Sequence, residues 1–135
     1  MSKQLSVPPD AERVVIDLLT ALLAGRGEDV TVGVDVPTAW ASGTKPHVQV
    51  GLDGTPEIIY PILARASVRV TVWHSSTTTA KRLANLSMGL LLSYAGNPQV
   101  ASFQALTGVL PTKDPDTKAQ LAGIAVRANL RFAAL

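Results

Sequence analysis

Cysteine is absent from the 135 residues, which excludes disulfides, thiolate nucleophiles and zinc–thiolate sites and leaves the redox compartment open. Aromatic residues supply only 4% of the chain. The core is therefore expected from Val, Leu, Ile and Ala, and the aromatic stacking platform of single-stranded nucleic-acid binders is not expected. No stretch approaches the roughly 18–20 apolar residues that span a bilayer, so no membrane partner is expected. The opening Met-Ser-Lys-Gln-Leu-Ser lacks the apolar run of a signal peptide. The expectation is a protein made and kept in a cytoplasm until something recruits it. Charge of one sign is scarce too: 12 basic and 10 acidic residues are interspersed, for a net charge of +2. A polybasic DNA-binding arm would show as a block, and none is present.

What is there suits a globular fold. Apolar residues make up 47% and charged residues 16%, the composition of a chain that buries a core. The length fits a single domain over residues 1–135, and such a domain hides roughly 70% of the surface its unfolded chain exposes.

Periodicity divides the chain into elements. Pro8-Pro9-Asp10 predicts a helix start with Asp10 as N-cap and Glu12 in the first turn. Val15, Ile16, Leu19, Leu22 and Leu23 recur at helical spacing, and Gly25 and Gly27 end a helix over about residues 10–25. Val30, Val32, Val34 and Val36 alternate with polar residues as a strand stopped by Pro37. Residues 38–46, with Trp40, read as a loop. A second strand carries Val48, Val50 and Leu52, and Asp53-Gly54 is a turn signal. Residues 54–65, with two prolines and an Ile-Ile-Tyr run, show no assignable period and read as an ordered connector.

Val68, Val70 and Val72 alternate with Arg69, Thr71 and Trp73 as a third strand. The run from Ser75 to Thr79 offers N-caps for a second helix reaching about Tyr94, ended by Ala95-Gly96-Asn97-Pro98. A weaker strand is read near Val100–Val109, followed by an exposed connection from Pro111 to Thr117. The closing strand is the clearest: Ile124, Val126, Ala128, Leu130 and Phe132 on one face, Ala125, Arg127, Asn129 and Arg131 on the other. The order α-β-β-β-α-β-β predicts an α+β fold, a mainly antiparallel sheet of four to five strands with both helices on one face.

A search for catalytic chemistry yields no site. Gly43-Thr44-Lys45 has the wrong order for a phosphate-binding loop, lacks the required upstream glycine and precedes no helix. His47 and His74 stand alone at strand ends, where solvated or hydrogen-bonded histidines are usual, without a ligand spacing. Asp114-Pro115-Asp116 is turn chemistry before it is a carboxylate pair, and it offers too few oxygens for calcium. No Gly-x-Ser-x-Gly elbow is present. A non-enzymatic protein with no cofactor and no metal is the expectation. The polar faces of two strands remain: Arg69, Thr71 and Trp73 on one, Arg127, Asn129 and Arg131 on another. They read either as a solvated face or as a subunit interface, where Arg and Trp are favoured anchors. Trp40, in a loop of small residues, is a further candidate anchor.

Three segments together carry a resemblance. The first is Pro-Pro-Asp-Ala-Glu-Arg-Val-Val-Ile-Asp-Leu-Leu, leading to a Val-rich strand that ends at Val36-Pro37. The second is Ser67-Val68-Arg69-Val70-Thr71-Val72-Trp73-His74, running into a helix with Ala80 and Leu83-Ala84. The third is Leu110-Pro111 through Asp114-Pro115-Asp116-Thr117 and the closing strand to Phe132. In order and spacing the chain resembles the tail-terminator (neck, tail-completion) proteins of siphophages, particularly those of actinobacteria; residues 54–65 and 99–109 lie outside the match.

The resemblance implies a structural virion protein: a homo-oligomeric ring, typically a hexamer, on the last ring of tail-tube protein. Such a ring ends tube polymerisation, meets a head-side connector, and lets DNA pass through its lumen. Its place would be the virion tail or neck, after assembly in the host cytoplasm. Neck stopper and tail-tube proteins are the neighbouring readings, and a small bacterial α+β ligand-binding domain or enzyme is the reading from another class.

Overall fold

A computed structural model of the chain describes residues 5–36 and 45–134. The elements run β1 (Ser6–Val7), α1 (Ala11–Gly25), β2 (Thr31–Gly33), β3 (His47–Leu52), β4 (Glu57–Ile59), β5 (Leu63–His74), α2 (Thr77–Leu92), β6 (Val100–Lys113), β7 (Gln120–Arg131) and β8 (Ala133–Ala134). The α+β class expected from the sequence is the observed one. The main sheet has six strands, ordered β2-β3-β5-β7-β6 with β4 paired to β5, and β1 pairs with β8 in a separate ribbon.

Three differences from the sequence reading have local causes. The connector over 54–65 holds β4, which pairs with the start of β5 as Glu57↔Arg65, Ile58↔Ala64 and Ile59↔Leu63. Three residues are too few to show a period, and prolines 56 and 61 bracket them. The first Val-rich strand is trimmed to Thr31–Gly33 and pairs with β3 in parallel, the exception in an otherwise antiparallel sheet. The fourth strand extends to Lys113, so Pro111 to Lys113 belong to it and the turn occupies residues 114–119. Irregular pairing at three places along this strand explains its poor alternation.

Helix α1 starts where expected. The Asp10 carboxylate accepts from the Glu12 and Arg13 backbone N–H groups at 3.0 and 3.3 Å, satisfying donors that a helix start leaves unpaired. Ser76 does the same for α2, accepting from the Thr79 N–H at 3.3 Å. Gly96, at φ +104°, follows α2 where any Cβ would stand 2.8 Å from the Ala101 carbonyl oxygen, so only glycine fits this turn. Asn97 then takes the Gln99 and Val100 N–H groups at 2.7 and 2.8 Å and launches β6.

Both helices lie on one face of the sheet. Helix α1 packs on β2, β3 and β5, and α2 on β5, β6 and β7. Val48, Val50, Val68, Val70, Val72, Ala122, Ile124 and Val126 point beneath them with no exposed surface, meeting Val15, Leu19, Leu23, Leu83 and Leu91 from the helices. This is the core foreseen from the alternation, built almost without aromatic rings. Between α2 and the segment that follows α1, Arg82 donates to both Glu28 carboxylate oxygens at 3.1 and 2.8 Å. That paired guanidinium holds the Glu28 carboxyl below its usual range.

Candidate functional site

The sheet face opposite the helices gathers most of the expected interface residues. Strands β5 and β7 adjoin in a register that sets Arg65 against Asn129, Ser67 against Arg127, Arg69 against Ala125 and Trp73 against Leu121. Arg69 and Arg127 are therefore diagonal neighbours on one face, a spacing of roughly 7–8 Å between backbone positions. Arg131 shares that parity and is exposed at the strand end, where its Nε donates to the Asn97 carbonyl at 3.1 Å. Trp40 lies outside the described residues.

Two of the four arginines on this face meet carboxylates. Arg69 donates to the Asp53 carboxylate at 3.1 Å, and Arg65 stands 3.6 Å from the Glu57 carboxylate. Trp73 donates its indole N–H to the Gln49 side-chain oxygen at 3.1 Å and is half-buried. Beside it, Gly51 leaves a shallow hollow of about 150 Å³ lined by Gln49, Gly51, Leu52, Arg69 and Thr71. The middle of the face is closed off: Ala125 is 1% and Asn129 8% exposed, the latter donating to Ser102 Oγ at 3.0 Å.

His47 shares the parity of this face, opposite Trp73, yet it is buried, so of the solvated or hydrogen-bonded settings expected of it the structure shows the second. Thr31 lies against it, with Oγ1 2.6 Å from Nδ1. Burial pushes its pKa below the ordinary imidazole value of 6.5. Nε2 finds no partner among the described residues. His74, by contrast, accepts from the Ser76 N–H at 3.1 Å and helps shape the entry to α2. Asp114 serves its own turn: its carboxylate accepts from the Thr117 N–H at 2.8 Å and hydroxyl at 2.7 Å, and these bonds lower its pKa. Among the described residues no group of three or more His, Asp and Glu side chains could hold a metal. No helix among them is long and apolar enough to cross a membrane.

A second surface escaped the sequence reading. Ile58, Ile59, Tyr60 and Ile62, at the β4–β5 hairpin, are 51%, 39%, 51% and 75% exposed. The Tyr60 hydroxyl accepts from the Ser6 N–H at 3.3 Å, and its ring meets Phe132 edge-on at 5.1 Å, so the hairpin joins the β1–β8 ribbon. Between the hairpin and the start of α1 lies an apolar hollow of about 200 Å³, lined among others by Pro8, Leu52, Ile58, Ala66 and Leu130. The Ile-Ile-Tyr run was its one signal in the sequence.

No protein-family model matches the chain, and no curated protein matches it at a significant level. Among solved structures, its fold is similar to that of a chain in the virion of a native gene transfer agent particle. The TM-score is 0.64 at 18% identity, over 89% of this chain and 93% of that one. At this identity the likeness is one of fold.

Proposed function

We propose that this protein is a structural subunit of a phage-like virion, a tail terminator that forms a ring on the end of the tail tube. The carrying observation is the shared fold with a chain of an assembled virion across nearly the full length of both. Fold alone does not settle function. Here it coincides with a sequence resemblance to tail terminators that rests on different information, the order and spacing of three segments. The described residues also offer interaction surfaces in place of a convergent polar site.

In this reading each subunit meets the next through two different patches, and rotation closes the ring. One side of the ring contacts the tail-tube protein and the other the head-side connector. Arg69, Trp73, Arg127 and Arg131, with Trp40, supply interface anchors. DNA passes through the lumen without being held. Pairing of Arg65 and Arg69 with carboxylates supports this, since it halves the unpaired guanidinium groups that the face offers to phosphates.

Electron microscopy of the protein with and without purified tail tubes tests the reading. Rings capping tube ends are expected, and Arg69→Glu or Arg127→Glu should reduce capping in a folded protein. A protein that leaves tubes bare overturns the terminator reading. Long cylinders formed by the protein alone would indicate a tube subunit instead.

A further inference from the structure

Asp53-Gly54 is the one place in the chain where an acidic or amide side chain precedes glycine. The pair directly follows β3, and both residues are exposed. An aspartyl carboxyl carbon and the next backbone nitrogen are spaced to close a five-membered ring. What ordinarily obstructs that closure is the side chain of the next residue, and glycine has none. The Asp53 side chain is 42% exposed, so water reaches the carboxyl.

The glycine is unrestrained. It sits at φ +98°, and a Cβ built on it would meet nothing within 4 Å. Its N–H has no hydrogen-bond partner among the described residues. Asp53 is held from the other side. Its own N–H donates to the Ser67 carbonyl at 2.8 Å, and its carboxylate accepts from Arg69 at 3.1 Å. The nitrogen that would attack is therefore loose, and the carboxyl it would attack is tethered by an exposed ion pair, an attachment that opens readily in water.

The other aspartates and asparagines each lack one of these conditions. Asn97 and Asp114 precede prolines, whose nitrogen has no hydrogen to lose. Asp29, Asp35 and Asp116 precede β-branched residues, which crowd the ring. Asp10 is occupied as the cap of α1, Asp17 and Asn85 lie inside helices, and Asn129 is buried.

We infer that the Asp53–Gly54 bond is a modification site, where aspartate converts through a succinimide to isoaspartate, and that Arg69 guards it. The Gly54 nitrogen attacks the carbon of the protonated side-chain carboxyl. An N–C bond forms, a C–O bond breaks, and the amide hydrogen leaves with the carboxyl OH as water. Water then adds to the former main-chain carbonyl and breaks its bond to nitrogen. The chain now runs through the side-chain carbons, and a new α-carboxylate is set free. One water leaves and one returns, with no change of mass or oxidation state. Arg69 must let go of the carboxylate before the nitrogen attacks, which is how it guards the bond. The added backbone carbon falls after the N–H that anchors Asp53 to Ser67, so β3 keeps its register on β5 and the slack enters the link to β4. The group that Arg69 held has become a peptide carbonyl, and the open face gains a guanidinium without its partner. None of this depends on the ring reading above.

The test is to age the purified, folded chain near neutral pH in heavy-oxygen water, beside the same chain unfolded in urea. Each ring opening fixes one heavy oxygen, read by mass spectrometry of peptides. Each isoaspartate accepts one methyl group from protein isoaspartate methyltransferase and makes the Leu52–Asp53 bond resistant to Asp-N endoproteinase. All three marks are expected at Asp53 in the folded chain, at a rate within about tenfold of the unfolded one, because the turn opens locally. Arg69→Gln should speed conversion roughly two- to fivefold, the strength of an exposed ion pair. Asp53→Glu, which would need a six-membered ring, should abolish it. A folded chain that stays unmarked while the unfolded one converts overturns the site, as does label that gathers at another residue. An unchanged rate in Arg69→Gln, with circular dichroism matching the parent, overturns the guard.

Discussion

The two faces of strands β3, β5 and β7 are made by alternate residues of the same segments, and they serve different ends. Under the helices, Val70 and its neighbours Val48, Val50, Val68, Val72 and Ile124 have no exposed surface. One residue away, Arg69 is exposed, and Thr71, Arg127 and Gln49 are half-buried. The covered face meets an almost wholly aliphatic layer, so a charge placed there is uncompensated. The open face is built of side chains that satisfy one another, as Arg69 does with Asp53 and Trp73 with Gln49. Stability is thus concentrated on one face, and the other is left able to change partners. Surface ion pairs are worth little to the fold, so spending them in an interface costs the monomer little.

The sharpest way to break this division is a charge on each side of one peptide bond. Val70→Asp should cost at least about 4 kcal/mol, because it buries a carboxylate among aliphatic side chains. Loss of the cooperative urea transition, or of soluble protein, would show it. A change below 1 kcal/mol would mean that the helices do not close over this position.

His47 tests the boundary between the faces, since it has open-face parity but is buried. Its folded-state pKa lies below the ordinary value of 6.5, so the unfolded chain binds the proton more readily. The stability linked to neutral His47 is therefore present above about pH 6.5 and lost as pH falls through that value toward the folded pKa. Denaturation midpoints measured from pH 8 to 5 should fall, and His47→Gln should flatten the part of the slope nearest pH 6. An unchanged slope in the variant would show that His47 is not the group responsible.

The smallest effects belong to the open face. Arg69→Glu replaces an attraction to Asp53 with a repulsion and should cost at most about 1 kcal/mol. Arg127→Glu, with no carboxylate partner to lose among the described residues, should change stability by no more than about 0.5 kcal/mol. Both are read by thermal or urea unfolding. A larger loss from either would make this face part of the folding core and weaken its proposed role as an interface.

Much of this architecture was legible from the chain. Alternation with period two placed Val68, Val70 and Val72 against Arg69, Thr71 and Trp73, because a strand's side chains must point to opposite faces. Helical spacing and Asp10 located α1, because an N-cap and an apolar stripe are both local requirements. The same logic left open whether the Arg69 and Arg127 strands adjoin, and the register of β5 on β7 decides that they do. It could not foresee that Asp53 and Glu57 neutralise two of the guanidinium groups, since those carboxylates approach through folding. Strand β4 and the apolar corner stayed hidden because three residues between prolines carry no period.

The sequence by itself determined the inward stripes of α1, β3, β5 and β7, the start of α1, and the α+β class, since each follows from side-chain periodicity and capping within a few residues. Tertiary structure alone decided that β2 runs parallel to β3 and that His47 is buried. It alone decided that Ile58, Ile59, Tyr60 and Ile62 remain exposed while equally apolar residues of β5 do not. Hydrophobicity states what a side chain gains by leaving water, and only the completed packing decides which side chains find cover within their own chain.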